Sequence, residues 1–265
     1  MTDAANLQRL KLGVEGHVAR VTLDRPDVRN AFDDATIVEL TAAFRALGDD
    51  PNVRVIVLAA NGPAFCAGAD LNWMKRMAGY SEAENRADAL GLATMLNTVY
   101  ACPKPVIARV QGDAYAGGMG LVAVCDIAIA ASTAQFCLSE ARLGLMPATI
   151  APYVIRAMGA RAAHRYFVTA ERFDAAEALR LGFVHEAVEA EQLDARVEAI
   201  ASAIVANSPN AVRECKQLVT DLAGTEIDDA LIGETAERIA RIRASDEGRE
   251  GVRSFLEKRK PSWLG

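Results

Sequence analysis

Hydrophobic and polar positions change rhythm several times along this chain. HVARVTLD from His17 and VRVIVLAA from Val53 are short β-branched runs that read as strands, and PVIARVQG from Pro105 and DIAIAAS from Asp126 read as two more. Between them, AFDDATIVELTAAFRALGDD and SEAENRADALGLATMLNTVYAC read as helices. The second opens with Ser81 and Glu84 at capping-box spacing. Strands alternating with helices of this length predict an α/β fold with parallel pairing. From about Asp174 the strand signals fade. DAAEALRLGF, QLDARVEAIASAIVAN, SPNAVRECKQLVTDLAG and the charged run from Ile227 to Arg259 read as successive helices, with Ser208 as a cap and Pro209 in a first turn. The plan is an α/β core over residues 1–200 followed by a helical part over residues 201–265. No fixed-period repeat, low-complexity tract or long Pro/Gly/Ser linker interrupts it.

Composition narrows the classes. A chain of 265 residues that is 51% hydrophobic and 24% charged can bury a substantial core. The first residues lack the pattern of a secretory signal, and the longest apolar stretches are broken by Gly, Asp, Pro or Arg, so the cytoplasm is the expected compartment and no membrane span is expected. The five cysteines are scattered, with no CxxC pair, and read as reduced, mostly buried thiols; no metal site is expected. A net charge of −6 argues against a general nucleic-acid binder, yet leaves room for an anionic ligand held by local cations and helix N-termini.

Three segments carry candidate chemistry. NGPAFCAGADLNWMKRM, around Gly68 and Ala69, and QGDAYAGGMGLVAVCD, around Gly117 and Gly118, each follow a strand and precede a helix. Small residues there let backbone N–H groups approach a ligand. If the strands are neighbours in one sheet, both sets converge on one oxygen as an oxyanion hole. The alternative is a pair of tight turns where helices pack closely on a sheet. In AQFCLSEARLGLMPATIAPYVIRAMG, from Ala134, Glu140 stands in an apolar stretch that would partly desolvate it and raise its pKa toward acid–base use; the alternative is a surface or capping glutamate.

Taken together, these segments resemble the crotonase (enoyl-CoA hydratase/isomerase) superfamily over nearly the whole chain. DRPDVRNAFD from Asp24 resembles the first CoA-contacting loop. FCAGADL (Phe65 to Leu71) and AGGMGLVAVCDIAIA from Ala116 resemble the two oxyanion segments, AQFCLSEARLGLMP the glutamate segment, and FLEKRKPSW (Phe255 to Trp263) the C-terminal end. The resemblance implies that the N–H groups of Ala69 and Gly117 hold the thioester oxygen and that Glu140 is the acid/base. It implies that Val28, Arg29 and Ala31 line the nucleotide end, that Ala67, Asp70 and Leu71 flank adenine and pantetheine, and that Phe255 and Lys258 reach the CoA of a neighbouring subunit. The implied fold is a spiral of ββα turns with a helical C-terminal trimerisation region, as a homotrimer or dimer of trimers. Coenzyme A enters as part of the substrate, with no covalently bound cofactor.

One departure matters. Hydratases of this family typically carry a second glutamate three residues after the oxyanion glycine, where this chain has Gly120. Gly120 alone favours a one-base reaction such as 3,2-enoyl-CoA isomerisation. Against that, ADLNWMKRM from Ala69 and LGLMPATIAPYVIRAMG from Leu143 are similar to bacterial hydratases of leucine and acyclic terpene breakdown that act on 3-methylglutaconyl-CoA or its isohexenyl relative. A branched substrate needs room, and a glycine at 120 is expected to supply it. The resulting expectation is a hydro-lyase adding water to a branched enoyl-CoA, with the isomerase as alternative and a non-catalytic acyl-CoA binder as a third class.

Other residues read more plainly. His17, His164 and His185 fall outside the three segments and read as structural or surface residues, and Cys66 as a packed thiol with no base in view. Lys75, Arg76 or Arg156 could meet a distal carboxylate on the substrate, with a solvated helix face as the alternative for each. Tyr115 is a candidate for the acyl pocket, with no part in proton transfer.

Overall fold

The computed structural model describes residues 7–265. Two sheets organise the core. The first has six strands in the order β1-β2-β3-β5-β7-β10: β1 (Leu10–Glu15), β2 (Val18–Leu23), β3 (Val55–Ala60), β5 (Val106–Val110), β7 (Ile127–Ala131) and β10 (Glu186–Val188). Only the β1/β2 hairpin is antiparallel; the remaining neighbours pair in parallel. All six residues of β3 are buried, as a parallel strand covered on both faces requires. Its Ile56, Leu58 and Ala60 join the main core, while Val55, Val57 and Ala59 pack with Leu193, Val197 and Ala201 of helix α7 (Leu193–Val205).

The second sheet is shorter and positions the site. Its order is β4-β6-β8-β9, built from β4 (Ala64–Cys66), β6 (Asp113–Tyr115), β8 (Gln135–Cys137) and β9 (Arg172–Asp174). β4, β6 and β8 run parallel, and β9 closes the edge antiparallel to β8. Each strand of the parallel trio is followed by one of the three candidate segments. Helix α2 (Leu71–Met77) follows β4, α4 (Gly117–Ala123) follows β6, and a 3-10 turn over Glu140–Leu143 follows β8. The four sequence-read strands are thus β2, β3, β5 and β7, and the candidate segments sit on a second sheet whose three-residue strands leave no periodicity to read.

The long helices fall where the patterning put them. Helix α1 (Asp34–Asp49) is capped by Asp33, and α3 (Glu82–Tyr100) starts with the full capping box of Ser81 and Glu84. Helix α5 (Ala151–Thr169) is broken at Gly159, whose φ is 78°. Helix α6 (Ala175–Arg180) precedes the last core strand. Helix α7 runs across residue 200 and belongs to the sheet packing just described. Beyond it come α8 (Pro209–Leu222), with Ser208 as its cap, then α9 (Asp229–Ala244) and α10 (Asp246–Leu256). α8 and α9 contain no fully buried residue. Among the described residues, no helix is long and apolar enough to cross a membrane.

Candidate active site

The first turn forms because Gly68 takes a φ of +92°, open to glycine at little cost. Its carbonyl accepts the N–H of Phe32, and the Phe32 carbonyl accepts the N–H of Asp70, both at 2.9 Å. The pair brackets Ala69 as an isolated parallel bridge to Phe32. A residue bracketed in this way directs its own N–H to the opposite side, and the Ala69 N–H has no acceptor among the described residues. Asp70 then caps α2, its Oδ1 accepting from the N–H groups of Asn72 (2.8 Å) and Trp73 (3.3 Å).

The second turn lies against the first. A Cβ built on Gly68 would sit 3.1 Å from the Ala116 Cβ and 3.7 Å from the Gly117 nitrogen. A Cβ on Gly118 would meet the Cys66 carbonyl oxygen at 2.3 Å. Ala116 holds φ 47° and ψ −120°, a strained conformation for a residue with a side chain, directly before the candidate donor. Its N–H donates to the Cys137 carbonyl at 2.8 Å, joining this turn to the end of β8. Gly117 begins α4, so its N–H lies in the first turn and is free of helical pairing; it has no acceptor among the described residues. Two unpaired backbone donors thus stand on abutting turns, each half-exposed. An oxyanion hole needs a donor pair of this kind.

Glu140 opens the 3-10 turn three residues beyond Cys137. Its side chain is half-buried, and its Oε2 is fully buried with no hydrogen-bond partner among the described residues. Burial pushes its carboxyl above the usual carboxylate range, and its own backbone N–H pulls the other way. A desolvated carboxyl without a cation or donor on its buried oxygen is poised to exchange a proton.

Gly120 is where the structure corrects the sequence reading. Its position was expected to provide room for a branched substrate, but that space is filled. A Cβ there would lie 2.2 Å from Ile150 Cγ2 and 2.9 Å from Ile150 Cβ, with Leu96 Cδ2 at 3.6 Å. Both Gly120 and Ile150 are buried. The glycine therefore serves close packing of α4 on the start of α5, and no second carboxylate fits beside this isoleucine.

The CoA-loop residues are placed as follows. Val28 and Arg29 are exposed on the loop before α1, with Arg29 at a φ of 53°. Ala31 is buried, and its carbonyl accepts from Arg25 Nη1 at 2.6 Å. Ala67 is half-buried, and its N–H donates to the Arg29 carbonyl at 3.0 Å. Leu71 is 72% exposed. The Asp70 carboxylate is committed to the protein: besides capping α2 it pairs with Arg25 at 2.9 Å, and these donors outweigh its burial to hold it below the usual carboxylate range. Phe255 and Lys258 lie at and just beyond the end of α10, Phe255 being 81% exposed.

The remaining candidates separate cleanly. Burial pushes the Cys66 thiol up to about 12, so it is no nucleophile at neutral pH. His17 Nδ1 meets the Asn52 carbonyl, and His185 Nδ1 accepts from the Ala128 N–H, both structural arrangements. Arg76 pairs with Asp34, Arg156 donates to the Pro152 carbonyl one turn back, and Lys75 is exposed. The Tyr115 hydroxyl donates to Asp113, and Arg172 lies over its ring. No cluster of His, Cys, Asp and Glu suited to a metal ion exists among the described residues. Sequence reasoning missed Phe32, Ile150, Arg25 and Asn30. Asn30 is buried with φ 54° and donates through Nδ2 to the carbonyls of Asn61 and Ala64, both at 2.8 Å. Its place in a turn-forming RN pair was the one available signal.

The chain is similar to proteins known as enoyl-CoA hydratases. An enoyl-CoA hydratase structure from Shewanella pealeana superposes with a TM-score of 0.95 at 45% identity, covering 98% of this chain and 97% of that one. The crotonyl-CoA hydratase of Syntrophomonas wolfei is 34% identical over 259 residues, 97% of this chain and 98% of that protein. The mevalonyl-coenzyme A hydratase of Aspergillus fumigatus is 34% identical over 250 residues, 93% of this chain and 91% of that protein. With two abutting turns that each present an unpaired N–H, a desolvated glutamate in the turn after β8, and residues 13–265 matching its pattern, the chain belongs to the enoyl-CoA hydratase/isomerase family.

Proposed function

We propose that this enzyme is an enoyl-CoA hydratase that adds water across the 2,3 double bond of a branched enoyl thioester of the 3-methylglutaconyl-CoA type. The observation that carries the proton-transfer role is the buried, unpartnered Oε2 of Glu140. The N–H groups of Ala69 and Gly117 donate to the thioester oxygen and hold the enolate that forms as water adds at C3. Glu140 takes the proton from that water and returns it to C2, so one carboxyl serves in turn as base and acid.

Val28, Arg29 and Ala31 line the nucleotide end, and Ala67 and Leu71 flank adenine and pantetheine. Asp70 contributes there through its backbone, since its carboxylate is engaged by Arg25 and α2. Phe255 and Lys258 reach the CoA bound to a neighbouring subunit of a homotrimer or dimer of trimers. Coenzyme A is part of the substrate, no further cofactor takes part, and the enzyme works in the cytoplasm. The branched acyl group is supported by likeness alone: the similar segments at Ala69 and Leu143, and a relative named for mevalonyl-coenzyme A, a 3-methyl acyl group.

A 3,2-enoyl-CoA isomerase using Glu140 as sole acid/base is the second reading, favoured by the Ile150 packing that excludes a second carboxylate. The product formed from 3-methylglutaconyl-CoA, read by mass spectrometry, separates the two. Hydration adds one water; unchanged mass with a shifted double bond would replace this reading with the isomerase.

A further inference from the structure

We propose that Phe32 is the positioning residue that sets the spacing of the two oxyanion donors, acting on Ala69 through its backbone and on Gly117 through its ring. The proposal rests on the oxyanion reading of those two N–H groups. The backbone half is the bridge described above: Phe32 bonds to Gly68 and Asp70 and so turns the Ala69 N–H away from itself.

The ring half is a contact. A Cβ on Gly117 would lie 2.3 Å from Phe32 Cζ and 2.8 Å from Cε1. Gly117 does not lie in the positive-φ region, so its backbone conformation does not demand glycine. The ring does. Phe32 thus spans the gap between the strand that orients one donor and the helix start that presents the other.

The spacer is itself fixed. Phe32 is 1% exposed, and its ring lies 6.0 Å from that of Trp73, tilted by 51°. Trp73 is anchored in turn by its Nε1, which donates to Asp88 of α3 at 3.0 Å. On the other side, Arg25 clamps the Ala31 carbonyl and Asp70, the residues flanking Phe32 and Ala69. Close-packed surroundings of this kind transmit a change of side-chain length as a shift of backbone rather than absorbing it.

The test is optical and kinetic. A cinnamoyl-CoA probe absorbs at longer wavelength as its conjugated thioester carbonyl is polarised, so its red shift on binding reports the donors directly. The wild type is expected to shift the band. Phe32→Leu is expected to lose at least about half of that shift while binding the probe within about threefold, and its kcat to fall by about 10- to 100-fold with a smaller change in KM, the scale of a donor displaced by a fraction of an ångström. Gly117→Ala is expected to lose the shift in the wild-type background and regain part of it with Phe32→Leu, since leucine lacks the Cζ and Cε atoms that the new methyl would meet. If Phe32→Leu does not fold, Phe32→Met decides by the same readout. Full shift and full kcat in a folded Phe32 variant would overturn the proposal while leaving the oxyanion hole intact. No shift in the wild type would overturn the oxyanion reading, and this proposal with it.

Discussion

At the scale of single residues, most of the proposed chemistry falls on one carboxyl, that of Glu140. Because burial raises the Glu140 pKa, the ionised base form accumulates only as pH rises through that elevated value. The acid limb of the kcat profile is therefore expected above the ordinary glutamate range of about 4.3. Glu140→Gln is expected to lower kcat by about 10²- to 10⁴-fold. The same shift has a stability consequence of fixed sign. A folded-state pKa above the unfolded one favours folding below the unfolded value, and that advantage is lost as pH rises through the folded value. Glu140→Gln should thus unfold at a higher temperature than wild type near neutral pH, with the gap closing in acid, as thermal scans across pH would show. Gly120 gives a second prediction. Gly120→Ala pushes a methyl into Ile150 and is expected to destabilise by about 1–3 kcal/mol in urea unfolding, and to add less than that in an Ile150→Ala background, where the Cγ2 it would meet is gone. Glu140 and the two small-residue turns were legible because their types are unusual for their settings. Ile150 was not legible, because a buried isoleucine looks the same whether it fills a core or closes off a site.

At the scale of elements, long helices and fully buried strands announced themselves and short strands did not. The capping box at Ser81, the Ser208 cap and the β-branched runs of β2, β3, β5 and β7 are local patterns with local causes. β4, β6 and β8 are three residues each and owe their pairing to neighbours distant in sequence, so only the fold reveals that they align the three site segments. β10 was missed for the same reason. The helical tail raises its own question of how it is held. Lys216 of α8 donates to Asp126 at 2.7 Å and to the Lys104 carbonyl at 3.1 Å, and the Asp126 carboxylate, its side chain 29% exposed, also accepts from the Val106 N–H at 2.7 Å. Lys216→Ala would leave that carboxylate with one donor fewer, and is expected to destabilise by about 1.5–3 kcal/mol. Burial outweighs its donors and sets the Asp126 pKa above the usual range, so the loss should grow as pH rises through it. Faster amide exchange in α8 would locate the effect.

At the scale of the whole molecule, the C-terminal helices expose what a lone chain would be expected to cover. Val219, Ile227, Ile232, Val252, Phe255 and Leu256 are each more than half exposed, and α8 and α9 bury nothing fully. Self-association through this region should give a sedimenting mass near three or six times that of the chain, and paired Ile232→Asp and Val252→Asp substitutions should lower it. Phe255→Ala, if its ring reaches a neighbour's CoA, should raise KM more than it lowers kcat. In the proposed mechanism one desolvated glutamate and a pair of backbone N–H donors run a hydration without a second carboxylate. Its most direct measurement is the mass of the product formed from 3-methylglutaconyl-CoA in deuterated water by wild type and by Glu140→Gln. Wild type is expected to add the elements of heavy water, with deuterium at C2 and oxygen at C3, and Glu140→Gln to add neither. Undiminished hydration by Glu140→Gln, or deuterium entering the wild-type product without oxygen, would contradict it.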